Sequence, residues 1–285
     1  MKKTLLWLRI IRPQTLFASL VPVLVGLIVF HRSQLPAVAH NPHLAAALTI
    51  ICALSLQILS NLINDYYDFV RGTDKAGRAG FRRALAEGEV TEGEMKRACI
   101  ISLAVALSTG LYLVLAGGWP ILLVGLSAIL FAWLYTATSH SLSYLGIADI
   151  FVLLYYGIVA TAGTVWIQSH SFSMQAFWAG AVCGLISMCV LMTNNLRDIE
   201  SDRAAGKKTL PVRFGKRAAQ VIMLVEVLLM PLAAYLAFGV SPAMLVIIPA
   251  AALFIAVTRA EGAAYNKCLL ATGIVNLIYL VLCLF

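Results

Sequence analysis

Charge is what this chain has least of. Only 12% of its 285 residues are Asp, Glu, Lys or Arg, about half the share found in an ordinary soluble domain. With 61% hydrophobic residues, a water-soluble globule is excluded, and lipid must cover much of the apolar surface. Cysteine carries no pattern. Cys52, Cys99, Cys183, Cys189, Cys268 and Cys283 lie in or beside apolar runs without Cys-x-x-Cys spacing; they read as small packing residues rather than a zinc or redox motif. His31, His40, His43, His140 and His170 are scattered among the connections and make no metal-ligand cluster. A soluble basic domain is missing too, so the net charge of +8 does not point to nucleic acid.

Long apolar runs are what the chain has in quantity. A membrane span needs about 20 mostly apolar residues. Such runs fall near 13–31, 44–66, 97–115, 120–138, 146–167, 176–197, 218–237, 241–258 and 266–285. The expected fold is therefore an all-α polytopic membrane protein with nine transmembrane helices. Most breaks are short and turn-like, as at Gly117-Gly118-Trp119-Pro120 and at Phe238-Gly239-Val240-Ser241-Pro242. Only two connections, 67–96 and 198–217, are long; both are charged and contain Gly, which favours function over plain linkage. Residues 1–12 keep charge throughout and are expected to form a basic amphipathic helix at the interface, with Trp7 and the leucines in lipid, rather than a cleaved signal.

Charge sets an orientation. If alternate connections share a side, 20 of the 21 Lys and Arg residues fall with the N-terminus and the two long loops, and Arg32 alone lies opposite. The positive-inside rule places that basic side, with the N-terminus, in the cytosol and the C-terminus outside.

Two acidic clusters sit at the cytosolic ends of apolar runs. One reads Asn61-Leu-Ile-Asn64-Asp65-Tyr-Tyr-Asp68, followed by Asp74; the other reads Asn194-Asn-Leu-Arg197-Asp198-Ile-Glu-Ser-Asp202. A carboxylate at the centre of a membrane helix costs roughly 2.5–3.5 kcal/mol, so acids gathered there need a compensating cation. At steps of three, four and seven, Asn61, Asn64, Asp65 and Asp68 share one helical stripe, and Asn194, Asp198 and Asp202 share another. Oxygen donors without His or Cys suit a hard cation, Mg²⁺ above Zn²⁺. Two such sites face to face would clamp a diphosphate. Bases surround them: Arg71, Arg78, Arg82 and Arg83 follow the first cluster, and Arg197, Arg203, Lys207 and Lys208 surround the second. Such groups read phosphate oxygens, although topology alone also places bases in cytosolic loops. Both clusters end up on one side and four spans apart, as in a duplicated four-helix unit plus one helix.

These motifs resemble the UbiA-type intramembrane prenyltransferases. The finer wording, Asn61 through Asp74 and Asn194 through Leu210, together with Arg12-Pro-Gln-Thr15 and Asp149-Ile-Phe-Val, is similar to the branch that prenylates 1,4-dihydroxy-2-naphthoate in menaquinone synthesis. One departure stands out: the turn after Tyr135-Thr136 reads Ala-Thr-Ser-His140-Ser-Leu-Ser-Tyr144 where Gly and Pro are expected. The resemblance implies one transmembrane domain over 1–285, multi-pass in the cytoplasmic (inner) membrane, surrounding a central cavity. It implies a polyprenyl diphosphate donor, a 1,4-dihydroxy-2-naphthoate acceptor and Mg²⁺, two ions by the two-site pattern, with no protein partner required. Asn64, Asp68, Asn194, Asp198 and Asp202 would hold metal, with Asp65 and Asp74 as further ligands. Arg83 and Lys207 or Lys208 would bind diphosphate and, with Asp68, Asp198 and Asp202, carry the catalysis. Asn61, Arg71, Arg82, Tyr135, Asp149 and Arg197 would complete the substrate contacts.

Some residues stay open. Glu226 sits mid-span, where an acid is either functional or hydrogen-bonded to another helix. Tyr66, Tyr67, Tyr135, Tyr155 and Tyr156 could line the cavity or form an interfacial belt. A 4-hydroxybenzoate prenyltransferase would use the same machinery. A secondary transporter would place its acids near the midplane beside broken helices; here they sit at helix ends beside basic loops.

Overall fold

A computed structural model describes residues 2–72, 83–136 and 147–285. Every regular element among them is helical. In chain order these are α1 (Lys2–Ile11), α2 (Pro13–Arg32), α3 (Pro42–Val70), α4 (Glu92–Gly117), α5 (Trp119–Thr136), α6 (Ala148–Ser169), α7 (Met174–Arg197), the short α8 (Ile199–Ala204), α9 (Leu210–Phe238), α10 (Pro242–Arg259) and α11 (Ala264–Leu282). Eight of them are long and apolar enough to cross a membrane. On length and composition, the ninth expected span is a shorter apolar helix, α5, among the described residues.

Local chemistry explains the boundaries. Asn41 caps α3 through Leu44 N–H, Thr91 and Glu94 form a reciprocal capping box on α4, and Ser173 caps α7 through Ala176 N–H; each satisfies amide donors left over at a helix start. Gly118 (φ 74°) and Gly239 (φ 67°) end α4 and α9 in a region closed to most side chains. The two long connections are more helical than expected. α3 continues to Val70 and α4 begins at Glu92, while the second connection holds α8 and the first turns of α9, which break at Gly215 (φ 84°).

α7 is the hub of the bundle, and most of it is buried. Small residues make this possible. Gly180 and Gly184 meet Gly157 and Leu153 of α6 so closely that a Cβ added at Gly184 would fall 2.6 Å from the Leu153 carbonyl oxygen. The α6 helix widens to a π-helix at Leu154–Val159, at the same contact. Gly26 does the same for α2, where an added Cβ would lie 2.7 Å from Thr161 O. Around this core an outer band of Leu, Ile and Val side chains, including Ile100, Leu115, Leu123, Val221 and Ile274, stays exposed, as a lipid-facing surface requires.

α1 departs from expectation. Leu5 and Leu8 are exposed, but Trp7 is turned inward with Leu6 and Ile10 against Leu62, Leu85 and Met95. The helix packs on α3 and is tied to the α3–α4 connection by the Arg9–Glu89 ion pair and to the first turn of α4 by Lys3–Glu94, so protein takes part of the apolar face intended for lipid.

Candidate active site

A cavity of about 530 Å³ runs between α2, α3, α4, α5, α6 and α7. Its wall is mainly aliphatic, from Leu107, Leu111 and Val114 on α4 to Ile121, Leu122 and Leu126 on α5. An aromatic group covers the α5–α6 side: Phe131 lies 4.4 Å from Phe151 and 5.1 Å from Tyr155, centroid to centroid. Polar groups gather where Arg12, Thr15, Ser19, Gln57, Asn61, Asn64 and Asn194 reach the lumen. The two acidic clusters thus contribute Asn64 and Asn194 to one chamber.

The carboxylates meet around a cation. Lys207 Nζ lies 3.8 Å from Asp68 Oδ1 and 3.7 Å from Asp202 Oδ1, with all three side chains largely buried. This contact joins α3 to α8 and links the clusters directly. Asp65 is held by two guanidiniums, Arg12 and Arg83, the latter at 2.8 Å. Asp198 accepts both arms of Arg197 at 2.8 and 2.7 Å, while Arg197 also donates to Asn266 at 2.9 Å. Arg197 therefore fastens α7 to α11. Asn61 donates to Ile11 O and Thr15 Oγ1, which makes it a tie between α3 and the α1–α2 turn as well as a lining residue. Arg71 caps α3 with its guanidinium over the Tyr67 ring, and Lys208 is exposed. Asp74, Arg82 and the side chain of Tyr135 lie outside the described residues.

The second helical stripe bends at its middle. α7 ends at Arg197 and Asp198 takes φ −99°, ψ 11°, yet the i to i−4 bonds Asp198 N–H to Asn194 O and Asp202 N–H to Asp198 O persist at 3.0 and 2.8 Å. The hinge keeps the stripe while turning α8 toward Lys207.

The donor set fits a hard divalent cation. Asn64, Asp68, Asn194, Asp198 and Asp202 supply oxygen only, and an ammonium already occupies the point between Asp68 and Asp202 to which positive charge is drawn. No three His, Cys, Asp or Glu side chains converge into a full shell among the described residues. Mg²⁺ takes one or two carboxylates per site and completes its shell with water and phosphate, so it would not need three.

Sequence reasoning missed the role of Arg12. This residue turns the chain between α1 and α2 in a left-handed conformation (φ 58°, ψ 71°), uncommon for a side-chain-bearing residue, and it brings a guanidinium to both Asp65 and the cavity. Gln57 and its partner Ser19, 3.0 Å away, were also missed. A signal existed: Gln57, Ser60, Asn61 and Asn64 follow helical steps within an otherwise apolar span.

Comparison with known proteins gives the family and the fold. The UbiA prenyltransferase family model matches residues 19–276. The 1,4-dihydroxy-2-naphthoate octaprenyltransferase of Escherichia coli (strain K12) is 39% identical over 220 residues, 75% of this chain and 70% of that protein. The protein of the same name from Haemophilus influenzae (strain ATCC 51907 / DSM 11121 / KW20 / Rd) is 32% identical over 253 residues, 85% of this chain and 79% of its own. Among solved structures, a UbiA homolog from Archaeoglobus fulgidus bound to GPP and Mg²⁺ shares the fold, with TM-score 0.69 and 21% identity over 98% of each chain. This multi-pass membrane protein belongs to the UbiA prenyltransferase family.

Proposed function

We propose that this chain is an aromatic prenyltransferase, moving a polyprenyl group from polyprenyl diphosphate to 1,4-dihydroxy-2-naphthoate with release of CO₂ and diphosphate. The observation that carries this reading is the single chamber in which Asn64 and Asn194, from the two acidic clusters, border a long apolar wall. The names of the bacterial relatives support the naphthoate as acceptor over 4-hydroxybenzoate.

The prenyl tail lies along the aliphatic wall and the diphosphate sits at the polar end. Mg²⁺ held by Asn64, Asp68, Asn194, Asp198 and Asp202, two ions by the pairing of the clusters, would neutralise the diphosphate and make it a better leaving group. Arg83 and Lys207 meet the charge that grows on the leaving oxygens as the C1–O bond lengthens. Asp65 orients Arg83 and Arg12 toward that end. Arg71, Arg82, Lys208 and Arg197 extend the basic rim, and Asn61, Tyr135 and Asp149 complete the acceptor side. The electron-rich ring attacks C1, and its carboxyl leaves as CO₂. Water would quench the allylic cation, so the aliphatic and aromatic wall protects the reaction by excluding it.

Residues 1–285 act as one domain, with nine crossings, a cytosolic N-terminus and an external C-terminus. The bond from Arg32 to Leu284 O, 2.8 Å long, supports the odd count. It joins the ends of the first and last spans, which would lie on opposite faces if α5 did not cross. The parallel course of α3 and α7, each ending in an acidic cluster, supports two four-helix repeats plus one helix.

The test is a prenyl-transfer assay on purified chain in lipid or detergent, with either acceptor, in Mg²⁺ or EDTA. Mg²⁺-dependent product and CO₂ from the naphthoate are expected. Product from 4-hydroxybenzoate alone would overturn the acceptor assignment, and product from neither would overturn the reaction.

A further inference from the structure

Two carboxyl groups are buried in the bundle apart from the acidic clusters. Asp149 opens α6 and Glu226 lies within α9, with 6% and 3% of their surface exposed. Each keeps one oxygen, Asp149 Oδ1 and Glu226 Oε1, without a hydrogen-bond partner among the described residues. The other Glu226 oxygen accepts Cys189 Sγ–H at 3.5 Å, which seats Glu226 against α7. Packing alone does not call for acids at this depth, where ionisable groups are expensive.

Their level in the bundle follows from the α6–α7 contact. Leu153 meets Gly184, and Gly157 meets both Gly180 and Gly184. One turn back along α6 and one turn forward along the antiparallel α7 set Asp149 level with Met188, beside Cys189. On α6, Asp149 continues the stripe of Val152 and Tyr156, both of which line the cavity. On α7, Ser187 and Leu191 border the cavity at the same height. Asn194 lies one and a half to two turns nearer the cytosolic end, about 9 Å along the axis from Met188. A donor whose diphosphate is held at Asn194 would place its reacting carbon, and the attacking ring, at the height of Asp149, one helical step beyond the lining residue Val152.

Resting on the reaction proposed above, we infer that Asp149, backed by Glu226, takes the proton of a ring hydroxyl of the acceptor during prenyl transfer and returns it after CO₂ leaves. The hydroxyl beside the carboxylate-bearing carbon gives its proton to Asp149 as that carbon bonds to C1 of the prenyl chain. The C1–O electron pair departs with diphosphate, and the ring oxygen becomes a ketone. When the ring–carboxylate bond breaks, its electron pair restores the aromatic ring and CO₂ leaves. The ketone oxygen then takes the proton back from Asp149. The site ends as it began, without net gain or loss of a proton. Glu226 acts through Asp149 and is a positioning residue.

The experiment measures kcat and KM for both substrates in Asp149→Asn, Asp149→Glu and Glu226→Gln, using purified full chain at fixed Mg²⁺. Asp149→Asn is expected to lower kcat about 100-fold or more, with KM for polyprenyl diphosphate held within about twofold. Asp149→Glu should keep at least about a tenth of the wild-type rate, because it can still accept a proton. Glu226→Gln should lower kcat about tenfold with the same split between kcat and KM. Asn copies the shape of Asp without its acid chemistry, so a packing role would rank Asn above Glu. That ranking, or a wild-type rate in Asp149→Asn, would overturn the inference. If Asp149→Asn does not fold, Glu226→Gln decides: unchanged kcat overturns the inference, and the expected split supports it. Wild-type chain inactive on the naphthoate would defeat the proposed function and this inference with it; active wild type puts only the inference at stake.

Discussion

Replacing Gly157 with alanine tests whether the α6–α7 contact sets the site. An added Cβ would lie 2.4 Å from Gly180 O and 2.6 Å from both Gly184 Cα and Gly184 N. All three are backbone atoms, so no rotamer change relieves the clash. Ordinary contact needs about 3.5 Å or more, and the helices must part by close to 1 Å. Overpacking of this kind costs about 1–3 kcal/mol, against a gain of about 0.8–1.0 kcal/mol from replacing a helical glycine by alanine. The net expectation is destabilisation by up to about 2 kcal/mol, together with lost activity because Asp149, Tyr155 and Tyr156 ride on α6. Gly163, in the same helix, is the control: nothing lies within 4 Å of its added Cβ. Gly163→Ala should be neutral or stabilising by up to about 1 kcal/mol. Denaturation midpoints in detergent and prenyl-transfer rates of the two variants would decide. Equal behaviour of the pair would refute the packing account.

Three further outcomes follow from the site and the topology. Asp68→Ala and Asp198→Ala should each abolish turnover while leaving membrane insertion intact; retained activity in either would remove the metal clamp. Lys207→Met should lower kcat/KM for the polyprenyl diphosphate by about tenfold or more, given the worth of a charge-assisted contact to phosphate, and an unchanged value would take Lys207 out of the diphosphate site. A reporter fused after Phe285 should be accessible from outside sealed cells, whereas one fused before Lys2 should not; both on one side would reject nine crossings.

Much of the fold was legible because lipid imposes a simple rule. Helices must satisfy their own backbone and present apolar side chains, so expected spans such as 13–31 and 176–197 match α2 (Pro13–Arg32) and α7 (Met174–Arg197) closely. The acidic stripes were legible for a related reason: acids are rare in such helices, and Asn64, Asp68 and Asp198 stood out against an apolar background. Trp7 was misplaced because amphipathicity identifies an apolar face without saying whether lipid or α3 covers it. The length of the long connections did not reveal that helices reach into both.

What the sequence determined by itself was the membrane class, most of the helical spans and the two oxygen-donor motifs, because each depends on composition or on spacing along one helix. Tertiary structure alone decided which groups meet. It set Lys207 between Asp68 and Asp202, Arg12 and Arg83 on Asp65, Arg197 on Asp198 and Asn266, and Glu226 on Cys189. These pairings join residues far apart in the chain. They depend on how closely α6, α7 and α9 approach, and glycine contacts between helices set that approach at a scale no single helix records.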